Sequence, residues 1–274
     1  MGETAREAAA QAGGRSGTRK ESTKEFLKRV LPNFILLPIY WLRSYSLVRG
    51  KLTYRQDGLY ATCNTDFLRD PKFAEAFRLG REAGILNDTP IHYRAWIACW
   101  AALKGRDLEG DFVECGVYHG AMSRMIVHYI DFQELPQKRF YLLDTFSGIP
   151  LESLSAEELS LRRPAKYDES YDQVQRTFSA YPNVTIIRGM IPHTLTEVKS
   201  DKVAYLSLDM NAAAPEIAAA EYFWPKMVSG AIMVLDDYGW AGNDVQRREF
   251  DVFAARHGVR VLPVPTGQGL IFKP

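Results

Sequence analysis

Three aspartates follow two apolar runs in the second half of the chain, where their carboxylates could bind a cation. Asp209 ends the run "VAYLSLD", and Asp236 and Asp237 end the run "AIMVLDD". Adjacent strand residues point to opposite faces, so Asp236 and Asp237 can share a ligand only where the strand ends and turns. Neighbouring carboxylates repel one another unless a cation lies between them, and all-oxygen ligation favours Mg²⁺ or a similar divalent ion. The alternative is structural: Asp237 caps the loop and Asp209 hydrogen-bonds to the backbone.

A second group of residues has the character of a nucleotide-binding turn. In "DFVECGVYHGAMSRM", Glu114 ends an apolar run, and Gly116 and Gly120 would let the backbone approach a ligand and start a helix. This E-x-G-x-x-x-G pattern is weak evidence alone, because glycine turns after strands are common. Asp144, at the end of "RFYLLD", strengthens it, since a carboxylate there could accept both ribose hydroxyls or else cap a turn.

The elements that must position these residues are strands of an α/β sheet. From about residue 111, short apolar runs alternate with amphipathic segments, which is typical of a parallel sheet. The link "PTGQ" (265–268) between the last two runs is too short for a parallel crossover, so these strands should be antiparallel. We therefore predict the Rossmann-like, seven-stranded sheet of class I methyltransferases, mostly parallel, with an N-terminal helical layer. Ligands of such sheets bind beyond the carboxyl ends of the strands, where the acidic residues converge.

The remaining segments suggest a division of the chain. We predict a disordered tail (1–22), an N-terminal helical arm or lid (23–106) and the cofactor-binding catalytic domain (107–274). A polar insertion at 153–170 is a candidate mobile lid. The apolar segment 30–42 is too short to span a bilayer, so it packs on the body or on a second subunit, or else it anchors at a membrane interface. We expect a homodimer and no transmembrane segment.

Composition excludes some classes of protein. The apolar fraction of 46% and the charged fraction of 24% are ordinary for a soluble globular protein. The net charge of +1 argues against nucleic-acid binding by bulk electrostatics. The three cysteines form no CxxC pair, and the N-terminus lacks the apolar core of a secretory signal, so we expect free thiols in the cytoplasm.

Several blocks together resemble the macrocin O-methyltransferase family, and the resemblance covers about residues 85–274. The blocks are "GDFVECGVYHGAMS", "YLLDTFSGIP", "VTIIRGMIPHTL", "LSLDMNAAAPEIAAAEYFWPKMVSGAIMVLDDYGW" and "PTGQGLIFKP". These are class I enzymes, dependent on S-adenosylmethionine (SAM), that methylate sugar hydroxyls of macrolide and aminocoumarin antibiotics. The chain departs from the family at "DMN", where "DVD" is frequent, at His193, where an aspartate is common, and in the variant tail "GQGL".

The resemblance assigns roles to the acidic residues. Glu114 and Gly116 fall on the family's SAM motif after its first strand. Asp144 and Ser147 fall on the aspartate and serine positions of its "DSFEGLP"-like block.

The same resemblance extends to the three aspartates. Asp209, Asp236 and Asp237 match the family's magnesium-binding aspartates, of which the first is also the proposed general base.

Other polar residues are candidates for ligand contacts. His119, in the cofactor turn, could contact the methionine carboxylate or the acceptor, or it could be a solvated turn residue. Arg94 could pair with the SAM carboxylate, a bidentate role suited to arginine. His92, beside it, could also reach the site, and His193 could contact the adenine side.

Tyr238 and Trp240 directly follow the aspartate pair and could stack on a sugar or aromatic acceptor. We therefore predict a SAM- and divalent-metal-dependent O-methyltransferase that acts on a hydroxyl of a sugar or of a glycosylated natural product. Two alternatives remain open. An NAD-dependent oxidoreductase would require G-x-G-x-x-G with an acid about 20 residues later, and the chain lacks this pattern. An inactive SAM-binding module would not need the aspartate trio.

Overall fold

The structure is a computed structural model that describes residues 52–84, 91–161 and 167–274. The described residues fall in one compact unit that spans 51–274. The predicted tail (1–22) and the apolar segment 30–42 lie outside the described residues. The predicted domain boundary at 106/107 stays a prediction.

The described residues form a small hairpin and a seven-stranded sheet. The strands are β1 (Tyr54–Gln56), β2 (Leu59–Ala61), β3 (Asp111–Cys115), β4 (Phe140–Asp144), β5 (Val184–Arg188), β6 (Val203–Leu208), β7 (Met227–Leu235), β8 (Leu262–Pro263) and β9 (Gly269–Phe272). The order in the sheet is β5-β4-β3-β6-β7-β9-β8. Strands β3 to β7 pair in parallel, whereas β9 is antiparallel to both β7 and β8. The predicted fold class is confirmed.

Helices precede the sheet and connect most of its strands. They are α1 (Pro71–Ala83), α2 (His92–Arg106), α3 (Ala121–Tyr129), α4 (Ala156–Leu161), α5 (Tyr171–Phe178), α6 (Ala213–Phe223) and α7 (Asp244–Arg256). Asp70 begins α1, because its side chain accepts a hydrogen bond from the N–H of Phe73 at 3.0 Å and Pro71 follows it. None of the helices in the described ranges is long and apolar enough to cross a membrane.

The helical character predicted for the N-terminal layer (23–106) is wrong for the β1–β2 hairpin. Its two-residue turn consists of Asp57, with φ of 50°, and Gly58, with φ of 71°. An Asp-Gly pair with both φ values positive suits the tight turn whose twist matches that of the flanking strands. The local turn chemistry therefore overrides the helical character of the surrounding segment.

Two hydrophobic cores lie on opposite faces of the sheet, as alternation along each strand requires. Phe112 of β3 joins Tyr205 of β6 in the core that includes residues of α1, α2 and α3. The next residues of the same strands, Val113 and Leu206, join the core that includes residues of α6 and α7. Because the central strands are covered on both faces, ligands have access at the strand ends.

The described part of the 153–170 insertion is docked on the body. Ser155 and Glu158 form a capping box, since the carboxylate accepts from Ser155 N–H at 2.8 Å while Ser155 Oγ accepts from Glu158 N–H at 3.2 Å. The other Glu158 oxygen accepts from the N–H of Ala213, the first residue of α6, at 2.8 Å. This carboxylate joins the insertion to the helix that follows β6. The mobility of the insertion stays a prediction.

Candidate functional site

A cavity of about 450 Å³ lies at the carboxyl ends of β3, β4 and β6. This is the crevice where ligands of open α/β sheets bind. Six of the residues singled out from the sequence line it: Arg94, Glu114, Gly116, His119, Asp144 and Asp209. The parallel strands therefore bring Glu114 and Asp209, 95 positions apart in the chain, to one wall.

Other candidate residues are not part of the cavity wall. Gly120 lies at the start of α3 and packs under Phe178. Ser147 and His193 are exposed, and Thr145, rather than Ser147, lines the cavity. The expected adenine contact of His193 therefore has no support from its position.

Asp144 organises the turn that follows β3. Its Oδ2 accepts hydrogen bonds from the N–H groups of Val117 at 2.6 Å and Tyr118 at 2.8 Å. Its Oδ1 accepts from the N–H of Phe146 at 2.7 Å. A carboxylate has about four lone-pair sites, and three of them accept these N–H groups. The Thr145 hydroxyl lies 3.3 Å from Oδ1 but is closer to the carbonyl oxygen of Gly148, at 2.6 Å, so about one site is left for a ligand hydroxyl. The turn role of Asp144 is therefore observed, whereas acceptance of both ribose hydroxyls would exceed this remaining capacity.

Glu114 is a buried acid with an unsatisfied oxygen. Its side chain is 3% exposed, and Oε2 has no hydrogen-bond partner among the described residues. Burial raises the pKa of Glu114 to about 8. The Ser123 side chain lowers this pKa, and the negative charges of Asp209 and Asp144 raise it by smaller amounts. A buried oxygen in a cavity wall is suited to receive a donor from a ligand.

Gly116 is required by the close approach of two strand ends. Its φ is 92°, and a Cβ at this position would overlap the carbonyl oxygen of Asp209. The N–H of Asp209 in turn donates to Cys115 O at 2.9 Å. A residue with a side chain would separate β3 from β6 where both contribute to the cavity.

The three candidate metal ligands lie together. Oxygens of Asp209, Asp236 and Asp237 are all within 4.8 Å of one another. Gln268 donates to Asp236 Oδ1 at 2.8 Å, and Arg94 donates to Asp236 Oδ2. Both oxygens of the most buried aspartate are thus already oriented by neighbouring side chains.

Arg94 lies in a different environment from the predicted one. It was expected to pair with the SAM carboxylate, but its guanidinium pairs with Asp236 and lies 3.7 Å from Asp57. It also lies over the ring of Trp240, 5.6 Å from the centroid. Helix α2 therefore delivers a positive charge to the aspartate cluster.

The electrostatics of the cluster fit a cation. Burial, followed by the like charge of Asp237, raises the pKa of Asp209 to about 7, although Arg94 acts in the opposite direction. One guanidinium therefore does not fully offset the three carboxylates. Oxygen-only donors with unrelieved repulsion suit a hard divalent ion such as Mg²⁺.

The two aromatic candidates lie outside the cavity wall. The hydroxyl of Tyr238 donates to Asp251 at 2.6 Å, and burial together with Asp251 raises the pKa of Tyr238 to about 12. Trp240 packs beside Gly58 and Gly267. Stacking of either ring on an acceptor stays a prediction.

Gln268 and Asp57 are site residues that sequence reasoning missed. Gln268 is fully buried, and its Oε1 accepts from the hydroxyl of Thr266 at 2.9 Å, which turns Nε2 toward Asp236. The departure "GQGL" from the family's usual tail was the available signal for Gln268. Nothing in the chain pattern links Asp57 to the site, because a hairpin of the N-terminal layer carries it.

Known proteins resemble this chain in sequence and in fold. Residues 94–262 match the family described as macrocin O-methyltransferase (TylF). A curated relative from Streptomyces olivaceus, 8-demethyl-8-(2,3-dimethoxy-alpha-L-rhamnosyl)-tetracenomycin-C 4'-O-methyltransferase, is 23% identical over 172 residues, 59% of this chain and 64% of the relative. The demethyldecarbamoylnovobiocin O-methyltransferase of Streptomyces niveus is 24% identical over 149 residues, 51% of this chain and 57% of the relative. The matched regions thus span less than two thirds of both relatives.

The solved structure of the O-methyltransferase NovP has the same fold. It superposes with a TM-score of 0.58 at 20% identity and covers 73% of this chain and 87% of NovP. The match to the family spans more than half of the chain, from the first turn of α2 to β8. The protein therefore belongs to the macrocin O-methyltransferase family.

Proposed function

We propose that this protein is an O-methyltransferase that uses SAM and a divalent cation to methylate a hydroxyl of a sugar or of a glycosylated small molecule. One observation carries the proposal: Asp209 belongs both to the cavity wall and to the aspartate cluster. A methyl donor in the cavity and a cation at the cluster would then be neighbours.

Residues of this chain divide the work between two regions. Glu114, Asp144 and the turn at Gly116 would hold SAM in the cavity. Asp209, Asp236 and Asp237 would hold the cation. SAM supplies an electrophilic methyl group when bound, and the cation supplies Lewis-acid polarisation of the acceptor hydroxyl.

Asp209 is the proposed general base. Its carboxylate would accept the proton of the acceptor hydroxyl, and Asn211, whose amide donates to Asp209 Oδ1 at 3.3 Å, would help to orient it. Arg94 and Gln268 would hold Asp236 in a fixed position. Because methyl transfer requires the acceptor oxygen in line with the methyl group, positioning supplies much of the rate.

The acceptor class is inferred from relatives. The two curated relatives are named for a rhamnosyl tetracenomycin and a novobiocin precursor. We infer a glycosylated acceptor that offers neighbouring hydroxyls, which could approach the cation together.

Calorimetry with S-adenosylhomocysteine (SAH), MgCl₂ and NAD separately tests this function. We expect the parent protein to bind both SAH and Mg²⁺. A triple Asp209→Asn, Asp236→Asn, Asp237→Asn variant should not bind Mg²⁺. Mass spectrometry of glycosylated phenols and macrolides incubated with SAM would detect a gain of one methyl group. If the protein binds NAD and does not bind SAH, the proposal is contradicted and an oxidoreductase is favoured.

An inactive SAM-binding module is the second alternative. It would bind SAH with no response to Mg²⁺.

We also propose that the protein is a homodimer in the cytoplasm. Light scattering of the purified chain would test the oligomeric state, and fractionation of its host cells would test the localisation.

A further inference from the structure

His119 is a buried side chain of the cavity wall. It is 5% exposed, and its ring lies edge-on to Tyr118 with the centroids 4.0 Å apart. One ring nitrogen, Nδ1, lies 2.8 Å from Oε1 of Gln173. The other, Nε2, is buried and has no hydrogen-bond partner among the described residues.

Gln173 determines which nitrogen of His119 carries the proton. Its Nε2 donates to the carbonyl oxygen of Ala83, which can only accept. The amide oxygen therefore faces His119, and Nδ1 must donate to it. In the neutral ring this leaves Nε2 as an acceptor with a free lone pair.

An empty buried acceptor calls for a donor from a ligand. Leaving such an atom without a partner destabilises the fold, and native structures rarely tolerate this without a role for the group. Because Nδ1 is turned toward Gln173, Nε2 is the nitrogen that His119 can offer to a molecule in the cavity.

The charge of the cavity wall indicates what kind of donor this is. Four carboxyl groups line the cavity, those of Asp57, Glu114, Asp144 and Asp209. Among the described wall residues, Arg94 carries the only permanent positive charge, and it is paired with Asp236. A wall that has several carboxyl groups and whose only permanent cation is already paired favours a cationic ligand group over an anionic one.

The location of His119 separates it from the acceptor hydroxyl. Its neighbours are Gln173 of α5 and Gly84 after α1. Asp209, where the acceptor hydroxyl is proposed to bind, has Asp236 and Asp237 of the β7 end as neighbours. His119 and the proposed acceptor site thus have different neighbours within one cavity, which favours a group of the cofactor as the donor opposite His119.

We propose that His119, held by Gln173 with its proton on Nδ1, accepts a hydrogen bond at Nε2 from the α-ammonium group of bound SAM. This rests on the proposed function. It replaces the sequence-based expectation of a contact with the methionine carboxylate, because an acceptor nitrogen would repel a carboxylate. Gln173 is a positioning residue that acts through His119.

Nitrogen NMR of the ¹⁵N-labelled protein tests the tautomer directly. We expect His119 in the ligand-free protein to carry its proton on Nδ1, and its Nε2 signal to shift when SAH is added. His92 is the internal control, since it stacks on Phe77 at 3.8 Å and is not part of the cavity wall. Its signals should stay unchanged. A proton on Nε2 of His119 in the ligand-free protein would overturn the assignment.

Binding of SAH and its deamino analogue, which lacks the α-amino group, tests the contact. Calorimetry should show that the parent binds SAH more tightly than the deamino analogue. The ratio of the two affinities should fall about 10-fold in His119→Phe, which is the loss expected for a charge-assisted hydrogen bond. His92→Phe should keep the parent's preference. Gln173→Leu should reduce it and also populate the other tautomer of His119, which a purely structural change would not do.

The outcomes distinguish the two proposals. SAH binding with the same preference in the parent and in His119→Phe would overturn the role of His119 and leave the proposed function standing. No SAH binding to the parent would overturn both. If His119→Phe does not fold, the absence of an SAH-induced shift at His119 Nε2 in the parent overturns the role on its own.

Discussion

The guanidinium of Arg94 donates a hydrogen bond to Asp236 Oδ2, which joins helix α2 to the end of β7 across 142 positions of the chain. The Arg94 side chain is 19% exposed and that of Asp236 is 5% exposed, so the pair is largely removed from water. Before any cation binds, Arg94 is the counter-charge of the aspartate cluster. If the cluster binds a cation as proposed, stability and cation binding should therefore be interdependent.

Arg94→Met should lower the free energy of unfolding by about 3 kcal/mol, because it leaves Asp236 buried without its partner. Added MgCl₂ should restore more stability to this variant than to the parent, since a cation can replace the lost charge. Urea denaturation with and without MgCl₂ measures both effects. The control Arg247→Met removes an exposed pair with Asp244 and should cost less than about 0.5 kcal/mol. Equal losses of unfolding free energy in Arg94→Met and Arg247→Met would contradict the role of Arg94 as the counter-charge of the aspartate cluster.

Gly116→Ala and Gly242→Ala form a matched pair, because both glycines have φ of 92°. A Cβ at Gly242 meets nothing within 4 Å, whereas at Gly116 it overlaps the Asp209 carbonyl. We expect a loss of about 1 kcal/mol for Gly242→Ala from backbone strain. For Gly116→Ala we expect about 3 kcal/mol or more, with weakened SAH binding. Similar losses would mean that the strand ends can separate without cost.

Glu158→Ala should release the insertion from α6. The change removes the acceptor for the N–H of Ala213 and the capping box with Ser155, so we expect a loss of about 1–2 kcal/mol. Hydrogen exchange at the Ala213 amide should become faster. The adjacent control is Glu157→Ala, which removes an exposed pair with Arg248 and should change stability by less than about 0.5 kcal/mol. An unchanged exchange rate at Ala213 would refute the docking role.

Glu114→Gln should flatten the pH dependence of stability. The folded pKa of Glu114 is about 8, above its ordinary value of 4.5, so the native state binds the proton more tightly than the unfolded state. The contribution of Glu114 to the free energy of unfolding is therefore fully present below about pH 4.5 and is lost as pH rises through about 8. Between these values the parent should lose stability relative to the variant by up to about 1.4 kcal/mol per pH unit. Urea midpoints at pH 5 and 8 measure this, and parallel profiles would contradict it.

Asp237→Ala should abolish metal-dependent turnover and leave SAH affinity nearly intact, because Asp237 belongs to the cluster but not to the cavity wall. We expect methyl transfer to fall at least about 100-fold. The control Asp244→Ala, at an exposed position seven residues later, should keep the parent's rate. Turnover of Asp237→Ala at the parent rate would disprove the metal assignment.

Much of the sheet could be predicted from local pattern. The strands ending at Asp144 and Leu208 lie where the apolar runs placed them, because a strand buried on both faces has a continuous apolar sequence. The β1–β2 hairpin differs from the predicted helical layer although its Asp57-Gly58 turn is a strong local signal, because the segments that follow it in the chain have helical periodicity. Gln268 could be noticed as a departure from the family but not given a partner.

The order of apolar runs and the acid or glycine at the end of each already specified the strand-end crevice and the candidate ligands, because both follow from alternation and burial within a few residues. The pairing of Arg94 with Asp236, the orientation of Gln268 and the proton position on His119 depend on groups that are far apart in the chain. Such contacts arise from the packing of helices and turns around the sheet, and a pattern read along one segment contains no information about the side chain that will face it.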